Sequence, residues 1–190
     1  MKTFLLLFAG LAAFGADSAA FAKEETLDLF DHRRVSIQVP ENYVYASGID
    51  RRGLATIKIT DPGRKMELVV SFLPDPDGRL AKEDDQRAFI ADTSLPYARD
   101  SVEKDYAFKD LSPHSGSGMY CVFTDSNLMK KLPVPPGDYL KVTTGLKAWS
   151  GCFFIFTLLS NETASDEYQA AMKLLRQSFE ELPRPAGPAI

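Results

Sequence analysis

The side chains that could carry chemistry in this sequence are few and awkwardly spaced. There are two histidines, His32 and His114, and two cysteines, Cys121 and Cys152. A zinc site would have to draw on these four and on carboxylates, yet no ligand-motif spacing links them. Both histidines read as surface or turn residues, and no metal is expected. Beside His114 runs Ser115-Gly116-Ser117-Gly118. A nucleophile elbow needs Gly-x-Ser-x-Gly at a strand-to-helix turn, whereas a strand pattern follows here, so the stretch reads as a flexible hairpin loop. Asp75-Pro76-Asp77-Gly78, followed by Glu83, Asp84 and Asp85, has the acidity of a calcium loop. It lacks the third oxygen ligand before the glycine and the glutamate at the twelfth position. A turn leading into a helix N-terminus explains the same residues. There is no phosphate-binding glycine loop and no dinucleotide fingerprint, so no cofactor and no catalytic set are expected.

The two cysteines pose a question of their own. Two cysteines in an exported chain suggest a disulfide. Against that, a simple meander of the late strands would put one strand between them, and next-but-one strands lie roughly 10 Å apart, beyond a bridge's reach. Both also sit in apolar runs where a free thiol packs well, so the reading leans against a bridge. Asn161-Glu162-Thr163 fits a glycosylation acceptor, but helix entry with Thr163 or Ser165 near the N-cap is the preferred role.

The elements that would position these groups are easier to read. Met1 to Ala22 has a lysine, an apolar run from Phe4 to Ala13, and Ala20-Phe21-Ala22 as a small-residue cleavage site. This is the pattern of a signal peptide, and the apolar run is shorter than the roughly 20 residues of a membrane span. Cleavage after Ala22 is expected, giving a periplasmic or secreted protein without a membrane or lipid anchor. The expected domains are residues 1–22 as signal peptide, 23–182 as one α+β domain, and 183–190 as a disordered proline-rich tail. The net charge of −4 gives no electrostatic reason to expect nucleic acid or anionic lipid. The basic pairs, such as Arg33-Arg34 and Lys130-Lys131, are scattered and read as solvated surface.

Residues 23–28 read as a polar lead-in. Val35, Ile37 and Val39 alternate with polar residues as a half-buried strand, Tyr43-Val44-Tyr45 marks a short one, and residues 54–60 and 66–73 form a hairpin about Asp61-Pro62-Gly63. Helix is expected from about Lys82, interrupted at Pro96, where a second short helix would begin. Strands return at 119–124 and 139–149. The run Cys152-Phe153-Phe154-Ile155-Phe156-Thr157-Leu158-Leu159 is apolar at odd and even positions, the mark of a central strand covered on both faces. A last helix carries Tyr168, Ala171, Met172, Leu175 and Phe179 at helical spacing. The expected fold is therefore α+β, an antiparallel sheet with helices on both faces.

The layout of Val35-Ser36-Ile37-Gln38-Val39-Pro40, a hairpin, a helical middle, three late strands and a terminal Leu175-Arg176-Gln177-Ser178-Phe179 resembles the Mog1/PsbP-like fold, including bacterial envelope proteins similar to the DcrB family. The resemblance spans about Phe30 to Leu182. It implies an α/β/α sandwich and a non-catalytic accessory or binding protein whose partner is another envelope protein. It offers no catalytic residues to carry over, and the lipobox cysteine of lipoprotein members is missing. The candidate contact is Leu128-Met129-Lys130-Lys131-Leu132-Pro133-Val134-Pro135-Pro136, a stiff loop with apolar residues. These either meet a partner or pack over the sheet edge. Two other functions stay open. One is a carrier of an apolar ligand in a cavity lined by Phe89, Phe154 and Phe156. The other is a hydrolase that gathers a histidine, a carboxylate and a Ser or Cys only on folding.

Overall fold

A computed structural model describes residues 22–149, 151–177 and 179–182. Residues 1–21 of the expected signal peptide (1–22) and the expected tail at 183–190 lie outside the described residues. In chain order the strands are β1 (Ala22–Asp28), β2 (Arg34–Pro40), β3 (Val44–Ile49), β4 (Ala55–Thr60), β5 (Met66–Asp75), β6 (Lys109–Asp110), β7 (Ser117–Thr124), β8 (Lys141–Trp149), β9 (Gly151–Ser160) and β10 (Phe179–Leu182). The helices are α1 (Glu83–Asp100) and α2 (Asp166–Gln177), and one 3-10 turn spans Phe30–His32.

The large sheet has the order β3-β4-β5-β9-β8-β7-β6, and every neighbouring pair is antiparallel. β9 is its middle strand, as its two apolar faces require. Phe153 points to one side and packs with Ile90 and Ala98 of α1, Cys121, Phe123 and Leu146. Phe154, Phe156 and Leu158 point to the other, where Ala171, Met172 and Leu175 of α2 cover them. Ser165 caps α2 by accepting the Tyr168 N–H at 3.2 Å, the N-cap geometry expected of a serine.

Three expectations need correction. Residues 23–28 are not a lead-in: they form β1, an edge strand that pairs with β2 over its whole length and buries Leu27. One apolar residue was too weak a periodic signal, and the strand forms because β2 offers a free row of backbone groups. Phe179 is not on the helix. It begins β10, paired opposite Ile37, so β1-β2-β10 make a second, three-stranded sheet beside α2. Pro96, finally, lies inside one continuous helix. A mid-helix proline costs about 3 kcal/mol. Buried Gln86, Ile90, Ser94 and Ala98 dock the helix on both sides of that cost, while Asp92 and Pro96 are exposed, so water can replace the missing donor.

Candidate functional site: the loop after β7 and its groove

The loop between β7 and β8 is fastened before it is exposed. Asp125 Oδ1 accepts the N–H groups of Asn127 (2.7 Å) and Leu128 (3.0 Å), and its backbone O accepts that of Met129 (3.0 Å). Ser126 donates from its N–H (3.2 Å) and its hydroxyl (2.8 Å) to the Asp100 carbonyl at the end of α1. At the far end Asp125 N–H reaches Leu140 O (2.9 Å), Leu140 N–H reaches Asn161 Oδ1 (2.9 Å), and the Tyr139 hydroxyl donates to Arg64 O (3.3 Å). Asn161 is therefore a clamp between β8 and the end of β9.

Between these anchors the two roles considered for the loop divide by residue. Leu128 and Val134 are half-buried, whereas Met129 is 49% and Leu132 61% exposed. Lys130, Lys131, Pro133, Pro135 and Pro136 are exposed as well. The Pro-rich half also forms one wall of an open groove of about 1010 Å³, whose opposite side is Val44, Lys58, Thr60, Arg64 and Glu67. Lys58 and Glu67 pair with each other on that side at 2.8 Å.

The residues singled out for chemistry are not brought together. His32 sits exposed in the turn between β1 and β2. His114 is exposed beyond β6, its N–H donating to Arg176 O at 2.9 Å. Ser117 opens β7, and its hydroxyl accepts Gln86 Nε2 at 2.7 Å. Gly116 and Gly118 are there for close approach: a Cβ at either would meet a β8 carbonyl oxygen, of Ala148 at 2.1 Å or Leu146 at 2.6 Å. Cys121 and Cys152 form no disulfide, and β8 lies between their strands. Burial pushes the Cys121 thiol up to about 11, the direction opposite to that of a nucleophile.

Two buried aspartates are occupied by backbone. Asp75 Oδ1 accepts Arg79 N–H (2.9 Å) and Oδ2 accepts Leu80 N–H (3.0 Å). Asp61 does the same for Met66 (2.6 Å) and Gly63 (2.9 Å). These two carboxylates close turns. The aromatic residues proposed to line one cavity are divided by the sheet. Phe154 packs with Phe72, Trp149 and Phe179 at centroid distances of 5.7, 5.5 and 4.9 Å. Phe89 meets Phe153 on the opposite face at 5.4 Å.

One polar group was invisible in the sequence. Thr124 donates its hydroxyl to Glu103 Oε1 (2.5 Å) and its N–H to Oε2 (2.8 Å), and accepts from Lys141 Nζ (2.7 Å). Burial alone would raise the Glu103 pKa, but the Thr124 hydrogen bonds and the Lys141 charge more than offset it, so the pKa is lowered. The three come from α1's exit, the end of β7 and the start of β8, so no local spacing could reveal them.

No helix among the described residues is long and apolar enough to cross a membrane. No protein-family model matches the chain, and no curated protein matches it. Among solved structures, the solution structure of cyanobacterial PsbP (CyanoP) from Synechocystis sp. PCC 6803 is similar. The TM-score is 0.50 and the identity 13%, covering 90% of this chain and 98% of that one. At that identity the likeness concerns the fold, and it bears out the α+β, Mog1/PsbP-like architecture expected from the sequence.

Proposed function

We propose that this chain is an exported, non-catalytic accessory protein of the bacterial envelope, akin to DcrB-type proteins, that acts by touching another envelope protein. The observation that carries the reading is the exposure of Met129 and Leu132 on a loop tied down at both ends. Apolar anchors on a pre-ordered loop lose little freedom on binding, and a few such anchors carry most of a contact's energy. Lys130 and Lys131 beside them make no ion pair among the described residues, so they suit an acidic rim on the partner. The signal-like Met1 to Ala22 supports export. The high thiol pKa of Cys121 and the engaged Ser117 hydroxyl support a non-catalytic role.

The test is photo-crosslinking from position 131 in the envelope fraction, with a Met129→Asp, Leu132→Asp double variant as control. One discrete crosslinked species, lost in the variant and kept in His32→Ala and His114→Ala, is the expected result. Loss of the chain's phenotype on a single histidine change, in a protein that still folds, would sink the reading in favour of an enzyme.

A further inference from the structure

The edge strands of the two sheets are not alike. β1 carries Lys23, Glu24, Glu25 and Asp28, β10 carries Glu180 and Glu181, and β6 is only Lys109 and Asp110. Charged or very short edges resist pairing with another chain. β3, the other edge of the large sheet, is Val44-Tyr45-Ala46-Ser47-Gly48-Ile49, without charge or proline. Val44 is 62% exposed and Ile49 68%.

The hairpin fixes which backbone groups of β3 face outward. Asp50 N–H donates to Leu54 O at 2.9 Å, continuing the register in which Ile49 faces Ala55. Hydrogen-bonded and non-hydrogen-bonded pairs alternate along an antiparallel ladder. Gly48, Ala46 and Val44 therefore bond to β4, and the N–H and C=O groups of Tyr45, Ser47 and Ile49 point away from it.

We infer that this edge binds the same edge of a second copy, antiparallel, to make one sheet running through both chains about a twofold axis at Ser47. In an antiparallel pair, residues directly opposite share a face, so a twofold pairing matches odd positions with odd. With the axis at Ser47, Ser47 meets its counterpart, and Tyr45 of each copy meets Ile49 of the other. Every outward N–H and C=O of the strand then gains a partner. The exposed Ile49 is covered by Tyr45, whose own body already packs on the main core, an aromatic against a β-branched residue. The ends are complementary in charge. Arg51, in the turn after β3 of one copy, comes to Glu41, just before β3, of the other, while Arg52 stays paired with Asp50 of its own turn at 3.0 Å. Glu41 and Arg51 are exposed and in no ion pair among the described residues. The contact is isologous and closes at two copies. A single strand edge is small beside the roughly 1,200–2,000 Å² of a stable interface, so the dimer is weak and concentration-dependent. It involves no residue of the loop at 128–136 and stands apart from the reading given for that loop.

The experiment is sedimentation velocity on the intact protein, isolated from its own cells, over a series reaching high micromolar concentration. The wild type should shift from monomer to dimer. Ser47→Pro removes an N–H that faces outward, where an edge strand tolerates proline, and should remain monomeric. Ile49→Lys leaves the β3–β4 ladder untouched and should weaken the dimer by at least about tenfold, which keeps the test sound should the proline variant misfold. Amide exchange adds a residue-level reading: Tyr45, Ser47 and Ile49 should gain protection with concentration, whereas Val44, Ala46 and Gly48 are protected throughout. A wild type that stays monomeric at every concentration overturns the proposal, even if the edge takes up a foreign extended peptide. So does a dimer that neither substitution weakens.

Discussion

Phe154 and Phe179 pack with ring centroids 4.9 Å apart at a 50° tilt, one from the middle of the large sheet and the other from the small one. Phe72 joins them at 5.7 and 6.1 Å. These rings join the two sheets, because among the described residues β10 and β2 meet the large sheet through side chains and share no backbone ladder with it. Phe179→Ala removes the ring from β10 and should cost about 3–5 kcal/mol. A urea midpoint left unchanged would mean that the small sheet does not depend on this contact.

The exposed loop should behave in the opposite way. Met129→Asp and Leu132→Asp change side chains that are 49% and 61% exposed, so each should shift stability by no more than about 0.5 kcal/mol. Their effect should appear in recovery of the partner, in graded steps. Thermal melts set beside the crosslinking yield separate the two; a large drop in melting temperature would place these side chains in packing instead.

Asp61 and Asp75 are buried turn-closers, each holding two backbone N–H groups. Replacing either by Ala orphans those donors and should cost about 1–3 kcal/mol. Calcium or a chelator should leave the wild-type melt where it is. A melting point raised by calcium and lost in Asp75→Ala would show that the carboxylate binds the ion rather than the turn.

Glu103 carries a pH signature. Its pKa is lowered from 4.5 in the folded chain. The unfolded chain therefore takes up the proton first as pH falls. The group's contribution is full above 4.5 and lost as pH drops through the folded value. Denaturant midpoints measured from about pH 6 to about pH 3 should fall less steeply in Glu103→Gln than in the wild type. Parallel curves would show that the Thr124 hydrogen bonds do not hold the carboxylate in solution.

What could be read from the sequence follows from how local each signal is. The two-faced apolar run at Phe153 and Phe154 identified the central strand directly, since only a covered strand can be apolar at every position. Tyr168, Ala171, Met172 and Leu175 likewise marked the covering face of α2. Phe179 kept the same spacing, and only its pairing with Ile37, far away in sequence, claims it for a strand. β1 offers a single buried apolar residue, so its existence depends on β2 rather than on itself. The Glu103–Thr124–Lys141 group joins three separate elements and had no local trace. For the loop at 128–136, composition predicted stiffness, but the division between half-buried Leu128 and exposed Leu132 depends on the turn that Asp125 makes.

The fastening of that loop leaves its middle open to replacement. Its anchors, Asp125, Ser126, Tyr139 and Leu140, lie outside the exposed stretch and are held by Asp100, Arg64 and Asn161 on the framework. The stretch from 129 to 137 can thus be rewritten, or even lengthened, while the scaffold keeps its shape; doubling a flexible loop costs only about 0.6 kcal/mol in closure entropy. It is a replaceable segment, onto which a foreign recognition sequence can be grafted while the framework stays as it is.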